Sequence, residues 1–400
     1  MRPLKGNLNL SDDLEMSSLV KAIESTIKQW ENRSEAVLSF GPQKVSREEY
    51  LRGLQYLLKE AKADSTGQLF RSAIQSHFDA YEVYGGKQWG EVLVTSYYEP
   101  VIDGALKSTE RFTQAIYQTP KDLVEVDVTS FEKVRPELAK LRELPFEQRS
   151  AQNVLRGRLI SEGVRQRVVA MPDRREIDRG SVKVQSQPLA YVDPIDAFFL
   201  EIQGSGVIRL KNGRELKVGY AAQNGHPYVP IGRFLLERIP KEKMSIQAIE
   251  DHLRSLPEAE AKTLMEQNPS YVFFRKLETA GQTFFGTEVI AGRTIATDQS
   301  LFPKGSLAFL EFEKPQFASS SDKEPTSWGP SSRFVVDHDT GGAIRGPHRV
   351  DLFWGRGGEA KRHAGVMKNP GRLIYFVPRP DWVNQLRASQ TSRRFKRSAG

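Results

Sequence analysis

The chain of 400 residues contains no cysteine. This absence excludes disulfide bonds, thiolate metal sites and a cysteine nucleophile, and it leaves the redox compartment open. No apolar run approaches the roughly 18 residues that a membrane-spanning helix needs. Residues 1–13 are polar and lack the apolar segment of a secretory signal, so neither a signal peptide nor a lipobox is visible.

The chain also has only a small excess of positive over negative charge. The 58 Lys and Arg residues exceed the 50 Asp and Glu residues by only eight, and part of the excess lies in residues 393–397. A modest basic excess favours an anionic partner such as nucleic acid, a membrane surface or an acidic polysaccharide, without choosing among them. The basic residues do not interleave with the aromatic residues, which argues against a nucleic-acid surface.

Hydrophobic periodicity predicts a helical start followed by strand-rich segments. Helices are predicted at 11–32, 46–58 and 66–80, the second behind a capping-box pattern of Ser46 and Glu49, and further helices near 135–144, 149–163, 231–239, 245–254 and 258–266. Strands are predicted at 91–100, 197–202, 207–210, 216–218, 271–275, 283–286, 288–296, 306–313, 333–338, 349–354 and 373–377. The aperiodic segment 314–332 predicts a mobile loop, and the residues after 387 a disordered tail.

The stretch 337–355 combines carboxylates with glycines. Asp339 and Asp351 flank a turn that holds Gly341 and Gly342. Glycines allow the backbone to turn sharply beside a ligand. From spacing alone, the stretch is either a sheet edge that carries chemistry or a hairpin with solvated acids.

Two other chemistries are disfavoured by what the chain lacks. Asp-Thr-Gly occurs once, at 339–341, whereas an aspartic protease of this length needs two such loops. His338, His348 and His363 lie near these acids, but no His-x-x-x-His pair or other tight ligand spacing accompanies them. We therefore expect neither a metal nor a cofactor.

Aromatic residues at turns, beside amides and a hydroxyl, are typical of a sugar-binding groove, where flat rings stack on sugars and amides bind hydroxyls. The same aromatic residues could equally form a core. The residues concerned are Tyr97, Tyr98, Tyr228, Tyr271 and Trp354, with Gln203, Ser205, Gln223 and Asn224.

Taken together, the motifs resemble the membrane-bound lytic murein transglycosylase A family, including its C-terminal module named for three aspartates. The resemblance covers about 91–378 in order, and residues 1–85 are not needed for it. The matching blocks are 93–100 (LVTSYYEP), 175–177, 196–206 (DAFFLEIQGSG), 219–225, 268–274, 291–298, 303–305, 339–346 (DTGGAIRG) and 351–355.

The resemblance implies a mainly β fold with helical additions. A double-psi β-barrel domain, residues 91–103 and 273–380, would carry an inserted second β domain, residues 104–272. A groove between the two domains would hold a glycan strand. Residues 1–90 would form a helical N-terminal segment, and residues 381–400 a basic tail.

The implied reaction cleaves the β-1,4 bond between N-acetylmuramic acid and N-acetylglucosamine in peptidoglycan without hydrolysis. The muramyl C6 hydroxyl attacks C1 and leaves a 1,6-anhydro ring. Because the substrate supplies its own nucleophile, one carboxylate can act first as acid and then as base. Carried onto this chain, that residue is Asp351, with Asp339 and Asp298 in supporting roles. We expect partial burial or the charge of Asp339 to favour the protonated form of Asp351.

The resemblance also implies ligand contacts and partners. Peptidoglycan glycan strands would be the substrate, and cell-wall synthesis or remodelling proteins further partners of a periplasmic or outer-membrane-associated monomer. Family members are usually exported lipoproteins, but neither a leader nor a lipidated cysteine is visible here, so membrane association stays open. A non-catalytic glycan-binding protein on the same barrel is the alternative function, and a nucleic-acid-binding module is the third. The substrate-binding candidates are Tyr97, Tyr98, Glu99, Gln203, Gly204, Ser205, Gly206, Tyr220, Asn224, Tyr228, Gly341, Gly342 and Trp354.

Overall fold

The computed structural model describes residues 1–6, 8–34, 37–85, 88–143, 154–278, 281–342 and 344–384. Its strands are β1 (Arg2–Pro3), β2 (Val37–Phe40), β3 (Gln43–Ser46), β4 (Phe78–Glu82), β5 (Glu91–Glu99), β6 (Val101–Ala105), β7 (Gln114–Tyr117), β8 (Leu123–Asp127), β9 (Val154–Glu162), β10 (Arg165–Ala170), β11 (Pro188–Val192), β12 (Ser205–Leu210), β13 (Glu215–Gln223), β14 (Val272–Lys276), β15 (Thr294–Ala296), β16 (Ser306–Gln316), β17 (Ser327–Asp339), β18 (Arg349–Arg356) and β19 (Lys368–Pro378).

Eight α-helices accompany these strands in the described ranges, and the two longest, at the N-terminus, exceed every strand in length. They are α1 (Met16–Glu31), α2 (Arg47–Ala63), α3 (Gln68–His77), α4 (Arg174–Asp178), α5 (Pro194–Gln203), α6 (Ile246–Ser255), α7 (Glu258–Met265) and α8 (Gly357–Ala364), with 3-10 turns at Val128–Phe131, Pro136–Glu143, Ile231–Phe234 and Lys241–Lys243. Within the described ranges, no helix combines the length and the apolar character needed to cross a membrane.

Six strands close into a barrel in the order β5-β18-β15-β17-β16-β19. The ring closes because β5 pairs with β18 on one side and with β19 on the other. The pairs β5–β18 and β15–β17 are parallel, and the other four are antiparallel. Closure satisfies the backbone on both sides of every strand, which gives the site a rigid frame. β4 and then β1 extend the sheet beyond β19.

The N-terminal helices pack on this barrel and share its core. Leu19, Ile23, Ile27 and Trp30 recur at helical spacing on α1 and belong to one hydrophobic cluster with buried residues of β16 to β19. The predicted capping box is confirmed: Ser46 caps α2, and the Glu49 carboxylate accepts from the Ser46 N–H at 3.0 Å. The three predicted N-terminal helices are present, although the third ends at His77 and the predicted residues 78–80 belong to β4.

Two buried arginines fasten the N-terminus to the barrel. Arg293 pairs with Asp12 at 2.6 Å, and Arg333 pairs with Asp13 at 2.6 Å. Both guanidinium groups are almost fully buried, so their partners offset a large desolvation cost.

The chain leaves the barrel at Pro100 and returns after β14. Between these points lie a six-stranded sheet, in the order β14-β13-β12-β6-β11-β7, and a three-stranded sheet, β10-β9-β8. The predicted hairpin at 207–218 is confirmed, because β12 pairs antiparallel with β13. Helices α4 to α7 lie in the same segment of the chain.

The prediction of a strand at 197–202 is wrong. These residues belong to α5, where the Asp193 carboxylate accepts the N–H of Ile195 at 3.0 Å and Pro194 occupies the first turn. Gly204 ends the helix in the left-handed conformation, with φ of 76°. A short apolar run does not distinguish a buried strand from a buried helix, and here the capping residues decide.

Other predicted elements also differ. The helix predicted at 149–163 is strand β9 from 154 onward, with 149–153 outside the described residues. The predicted loop at 314–332 shrinks, because β16 and β17 pair as far as Gln316 opposite Ser327. The predicted helices at 135–144 and 231–239 contain only 3-10 turns, no named strand covers 283–286, and residues 385–400 of the predicted tail lie outside the described residues.

Candidate active site

The barrel brings Asp339 and Asp351 to the two sides of one residue. Ala296 of β15 pairs with Asp351 of β18 on one side and with Asp339 of β17 on the other. Two strand spacings separate the aspartates, so their Cα atoms lie about 10 Å apart. The sequence-predicted acids are therefore neighbours across a single strand.

Asp351 is held by a cation and a hydroxyl. Arg349 donates from Nε to Oδ1 at 2.8 Å and from Nη2 to Oδ2 at 2.9 Å. The hydroxyl of Thr95, which lies opposite Asp351 in the parallel β5–β18 pair, also donates to Oδ1. Only 7% of Asp351 is exposed. Such a charge-assisted, two-pronged contact fixes the carboxylate in one orientation.

Asp339 is engaged by three donors of the protein. The Tyr97 hydroxyl donates to Oδ2 at 2.9 Å, and the N–H groups of Phe284 and Thr340 donate to Oδ1 at 3.0 Å each. Burial raises the pKa of Asp339, and these hydrogen bonds oppose the shift. Burial and the neighbouring carboxylates raise the pKa of Tyr97, which therefore remains a donor.

Asp298 anchors the glycine-rich turn through a hydrogen bond to its backbone. Its Oδ1 accepts from the Ser300 N–H at 2.9 Å, and its Oδ2 accepts from the Gly346 N–H at 2.8 Å. Gly346 has φ of 78°, a conformation that a residue with a Cβ rarely adopts. With 1% exposure, Asp298 contacts the turn rather than a ligand. Of the predicted glycines, Gly341 packs near Ile344, and an added side chain at Gly342 would enter open space.

A buried ion pair lies inside the barrel beneath the acids. Lys304 donates to Asp337 Oδ1 at 2.7 Å, while Thr297 and Tyr375 each donate to Oδ2 at 2.6 Å. Burial raises the pKa of Asp337, and the charge of Lys304 opposes this shift. Burial lowers the pKa of Lys304, and the charge of Asp337 opposes that shift. The charge of Lys304 also lowers the pKa of Asp339, so the pair contributes to the field at the site.

Several predicted ligand contacts instead brace the junction between barrel and insert. Glu99 is 2% exposed and accepts from the Gly281 N–H at 2.9 Å and from Arg356 Nε at 2.6 Å. Gln203 accepts the Tyr98 N–H at 3.1 Å, and Tyr98 is buried against α8. The Glu99 carboxylate and the Gln203 side-chain oxygen are thus occupied within the protein.

Asn224 is likewise internal. Its side-chain amide donates to the carbonyls of Pro172 and Pro269 at 2.9 Å each, and its Oδ1 accepts the Tyr271 N–H at 2.9 Å. Because Asn224 is 1% exposed, contact with a ligand would require these bonds to break.

Trp354 lies apart from the two acids. Successive residues of a strand alternate between faces, so Trp354 does not share the face of Asp351. Its Nε1 contacts the Met367 sulfur at 2.8 Å, and its ring stacks on His363 with centroids 4.8 Å apart.

The tight turn of residues 204–206 serves packing. Ser205 and Gly206 begin β12 directly after Gly204. A Cβ at Gly206 would collide with Leu200 of α5, so glycine allows the helix to approach the strand.

Two tyrosines of the insert remain accessible. Tyr220 is 45% exposed and Tyr228 is 39% exposed. Partial burial raises the pKa of both hydroxyls, and nearby cations oppose the shift, chiefly Arg156 at Tyr220 and Arg349 at Tyr228. These two tyrosines are thus predicted contacts whose rings the fold leaves accessible.

His338 is a core residue. Its Nε2 lies 2.7 Å from the Thr26 hydroxyl of α1, and its Nδ1 lies 3.0 Å from the Thr287 hydroxyl. Burial lowers the pKa of His338 to about 3, so the ring is neutral and joins α1 to the barrel. Among the described residues, no group of His, Asp and Glu side chains is arranged to hold a metal ion.

Sequence reasoning missed the groups that contact the acids. Thr95 lies in the block at 93–100 without a signature of its own, and the backbone donor at Phe284 has no signature in the sequence. The contact of Arg349 with Asp351 was predictable, because Arg349 lies two residues before Asp351 on a strand and therefore shares its face.

Comparisons with known proteins agree with this architecture. The model of the "MltA specific insert domain" matches residues 93–275, and the model of the "3D domain" matches residues 293–377. Membrane-bound lytic murein transglycosylase A of Escherichia coli K12 is 31% identical over 315 residues, which cover 78% of this chain and 72% of the relative. The chain belongs to the membrane-bound lytic murein transglycosylase A family, whose members are peptidoglycan-cleaving enzymes.

Solved structures have the same fold. The crystal structure of a membrane-bound lytic murein transglycosylase from Agrobacterium tumefaciens superposes with a TM-score of 0.70 at 26% identity, covering 92% of this chain and 93% of that one. A structure of the Escherichia coli protein with bound chitohexaose has a TM-score of 0.68 at 23% identity and covers 94% of each chain.

Proposed function

We propose that this chain cleaves the β-1,4 bond between N-acetylmuramic acid and N-acetylglucosamine of peptidoglycan and forms 1,6-anhydro-muramyl ends. One observation carries the proposal: the two acids differ in their contacts. Asp339 has both oxygens bonded by Tyr97 and two backbone N–H groups. These donors are all neutral, which suits Asp339 to fixed electrostatic support, and the reaction needs no second reacting carboxylate because the substrate supplies its own nucleophile.

Asp351 is the proposed acid and base. In its protonated form it gives its proton to the glycosidic oxygen as the C1–O bond breaks. The resulting carboxylate then takes the proton of the C6 hydroxyl as that oxygen bonds to C1, so no water is consumed. The ion pair between Asp351 and Arg349 corresponds to the carboxylate form, and we assign Arg349 the stabilisation of that form.

Asp339 and Asp298 support this chemistry indirectly. The charge of Asp339 would stabilise positive charge that develops at C1, and Asp298 would hold the turn at Gly346 along which the sugar chain passes. We propose Tyr97, Tyr220 and Tyr228 as the aromatic contacts of the glycan, with Gly341 and Gly342 giving the strand room. The bound chitohexaose of the Escherichia coli neighbour supports a glycan site on this fold.

We also propose the domain division and location that the family implies. The barrel would be of the double-psi type and comprise residues 91–103 and 273–380, with 104–272 as the inserted domain and the groove between them. The division is supported by the closed ring of strands, because β5 precedes the insert in the chain and the other five strands of the ring follow it. The protein would act as a monomer in the periplasm or at the outer membrane, where peptidoglycan lies.

Digestion of purified sacculi tests the reaction. The wild type should release muropeptides lighter by one water than reducing-end products, and Asp351→Asn should reduce their release at least about a thousandfold. Asp251→Asn, which removes an exposed carboxylate of the insert, is the control and should retain activity. Reducing-end products would overturn the transglycosylase reaction, full activity of Asp351→Asn would assign the acid elsewhere, and binding without turnover would favour the glycan-binding alternative.

A further inference from the structure

An apolar cavity of about 310 Å³ lies in the insert, and the barrel contributes Lys368 to its lining. Side chains of α5, α6 and the segment between β13 and α6 form its walls, among them Phe198, Phe199, Ile202, Leu236, Met244 and Ile249. Ile202 and Leu236 are 36% and 54% exposed, so the cavity opens to solvent. Its size is at the lower end of the range for small-ligand sites.

The cavity adjoins the proposed acid through one of its lining residues. Lys368 of β19 pairs with Thr95 of β5, and Thr95 pairs with and donates to Asp351. Residues directly opposite each other in a sheet share a face, so Lys368 lies on the face of Asp351, two strands away. Tyr228, one of the two accessible tyrosines of the insert, also lines the cavity.

The charges at the cavity are all of one sign. Arg233, Lys241 and Lys368 line it, and none of the described lining residues is acidic. Lys368 donates to the carbonyls of Lys241 at 2.8 Å and Met244 at 3.3 Å, which leaves one ammonium hydrogen for a ligand. The Arg233 guanidinium lies over the Phe234 ring, 5.5 Å from its centroid. An apolar wall whose lining carries three cations fits a ligand that has both methyl groups and carboxylates.

We propose that this cavity binds the acidic peptide attached to the lactyl group of the muramyl residue that is being cleaved. The inference rests on the proposed function, because that function places muramyl C1 at Asp351. The lactyl group is a substituent of the same sugar ring, so the peptide leaves the ring within a few ångströms of the acid. The N-acetyl group is uncharged and does not account for three cations. The cavity therefore makes the enzyme prefer strands that carry peptides.

Paired substrates test this preference. Soluble, uncross-linked glycan strands with intact peptides are compared with the same strands after an amidase has removed the peptides. The wild type should have a KM at least fivefold lower for the peptide-bearing strands, with kcat within twofold. The double variant Arg233→Glu/Lys241→Glu should lose this difference, because it reverses two cations that face the cavity.

A charge-matched control separates this site from general electrostatics. Arg238→Glu/Lys243→Glu makes the same change in net charge at exposed positions that do not line the cavity, and it should retain the preference. Equal KM values for the two strands in the wild type, or equal loss in both double variants, would overturn the inference and leave the proposed function intact. Absence of anhydro products from both strands would overturn the proposed function and the inference with it.

Discussion

Asp339 and Asp351 approach Ala296 from opposite sides, each as its partner in the barrel ladder. The distance between them is thus set by strand pairing, which is among the least deformable features of a sheet. Side-chain contacts then make the two carboxylates unequal. Asp339 accepts hydrogen bonds from neutral donors, whereas Asp351 accepts hydrogen bonds from the guanidinium group of Arg349. The following predictions concern these contacts and the groups that support them.

Tyr97→Phe should lower kcat about tenfold with KM within twofold. It removes one hydrogen bond to a charged group, worth about 1.5 kcal/mol, and leaves the ring against Phe353. Steady-state release of anhydro-muropeptides gives the two constants. Tyr117→Phe, in the insert, is the matched control and should match the wild type. A change in KM alone would show that Tyr97 acts on binding instead.

Arg349→Gln should reduce kcat/KM more than Arg349→Lys. Glutamine lacks the positive charge that stabilises the Asp351 carboxylate, whereas lysine retains the charge and loses the two-pronged geometry. We expect losses of about a hundredfold for glutamine and about tenfold for lysine, measured on soluble strands. Equal losses in the two variants would show that geometry, and not charge, is what Arg349 contributes.

Lys304→Met should lower the free energy of unfolding by about 3–5 kcal/mol, because it leaves the Asp337 carboxylate buried without its cation. The double variant Lys304→Met/Asp337→Asn should recover part of this loss, since the uncompensated charge is gone. Urea unfolding measures both. Lys323→Met, from an exposed pair with Asp251, should change stability by less than about 1 kcal/mol. A double variant less stable than the single one would contradict this account.

His338 should make the protein sensitive to acid. Its pKa is about 3 in the folded state and 6.5 in the unfolded state, so the unfolded chain binds more protons between these values. Its contribution is complete above pH 6.5 and falls as the pH drops, by about 2 kcal/mol between pH 6.5 and pH 5. Denaturant unfolding at both pH values should show this slope in the wild type and in His363→Gln, and a shallower slope in His338→Gln. An unchanged slope in His338→Gln would assign the acid sensitivity to other groups.

The success of the sequence predictions depended on whether local signals agreed. Residues 47–63 had a cap and a continuous apolar face, so the helix was predictable. Residues 197–202 form only an apolar run, and the capping residues Asp193 and Gly204 lie outside that run. The outer ends of β16 and β17, up to Gln316 and Ser327, have no hydrophobic periodicity in the sequence. They are strands because each pairs with the other beyond the barrel.

The sequence by itself determined the chemistry that is available: the acids at 339 and 351, the absence of cysteine, and the ordered blocks that the family models match. Tertiary structure alone decided which of these groups meet. Barrel closure sets Thr95 beside Asp351 and Tyr97 beside Asp339, although more than 240 residues separate each pair along the chain. It also buried Asn224 and Glu99. Local sequence carries no information about such contacts, because strand register and burial follow from the packing of the whole chain.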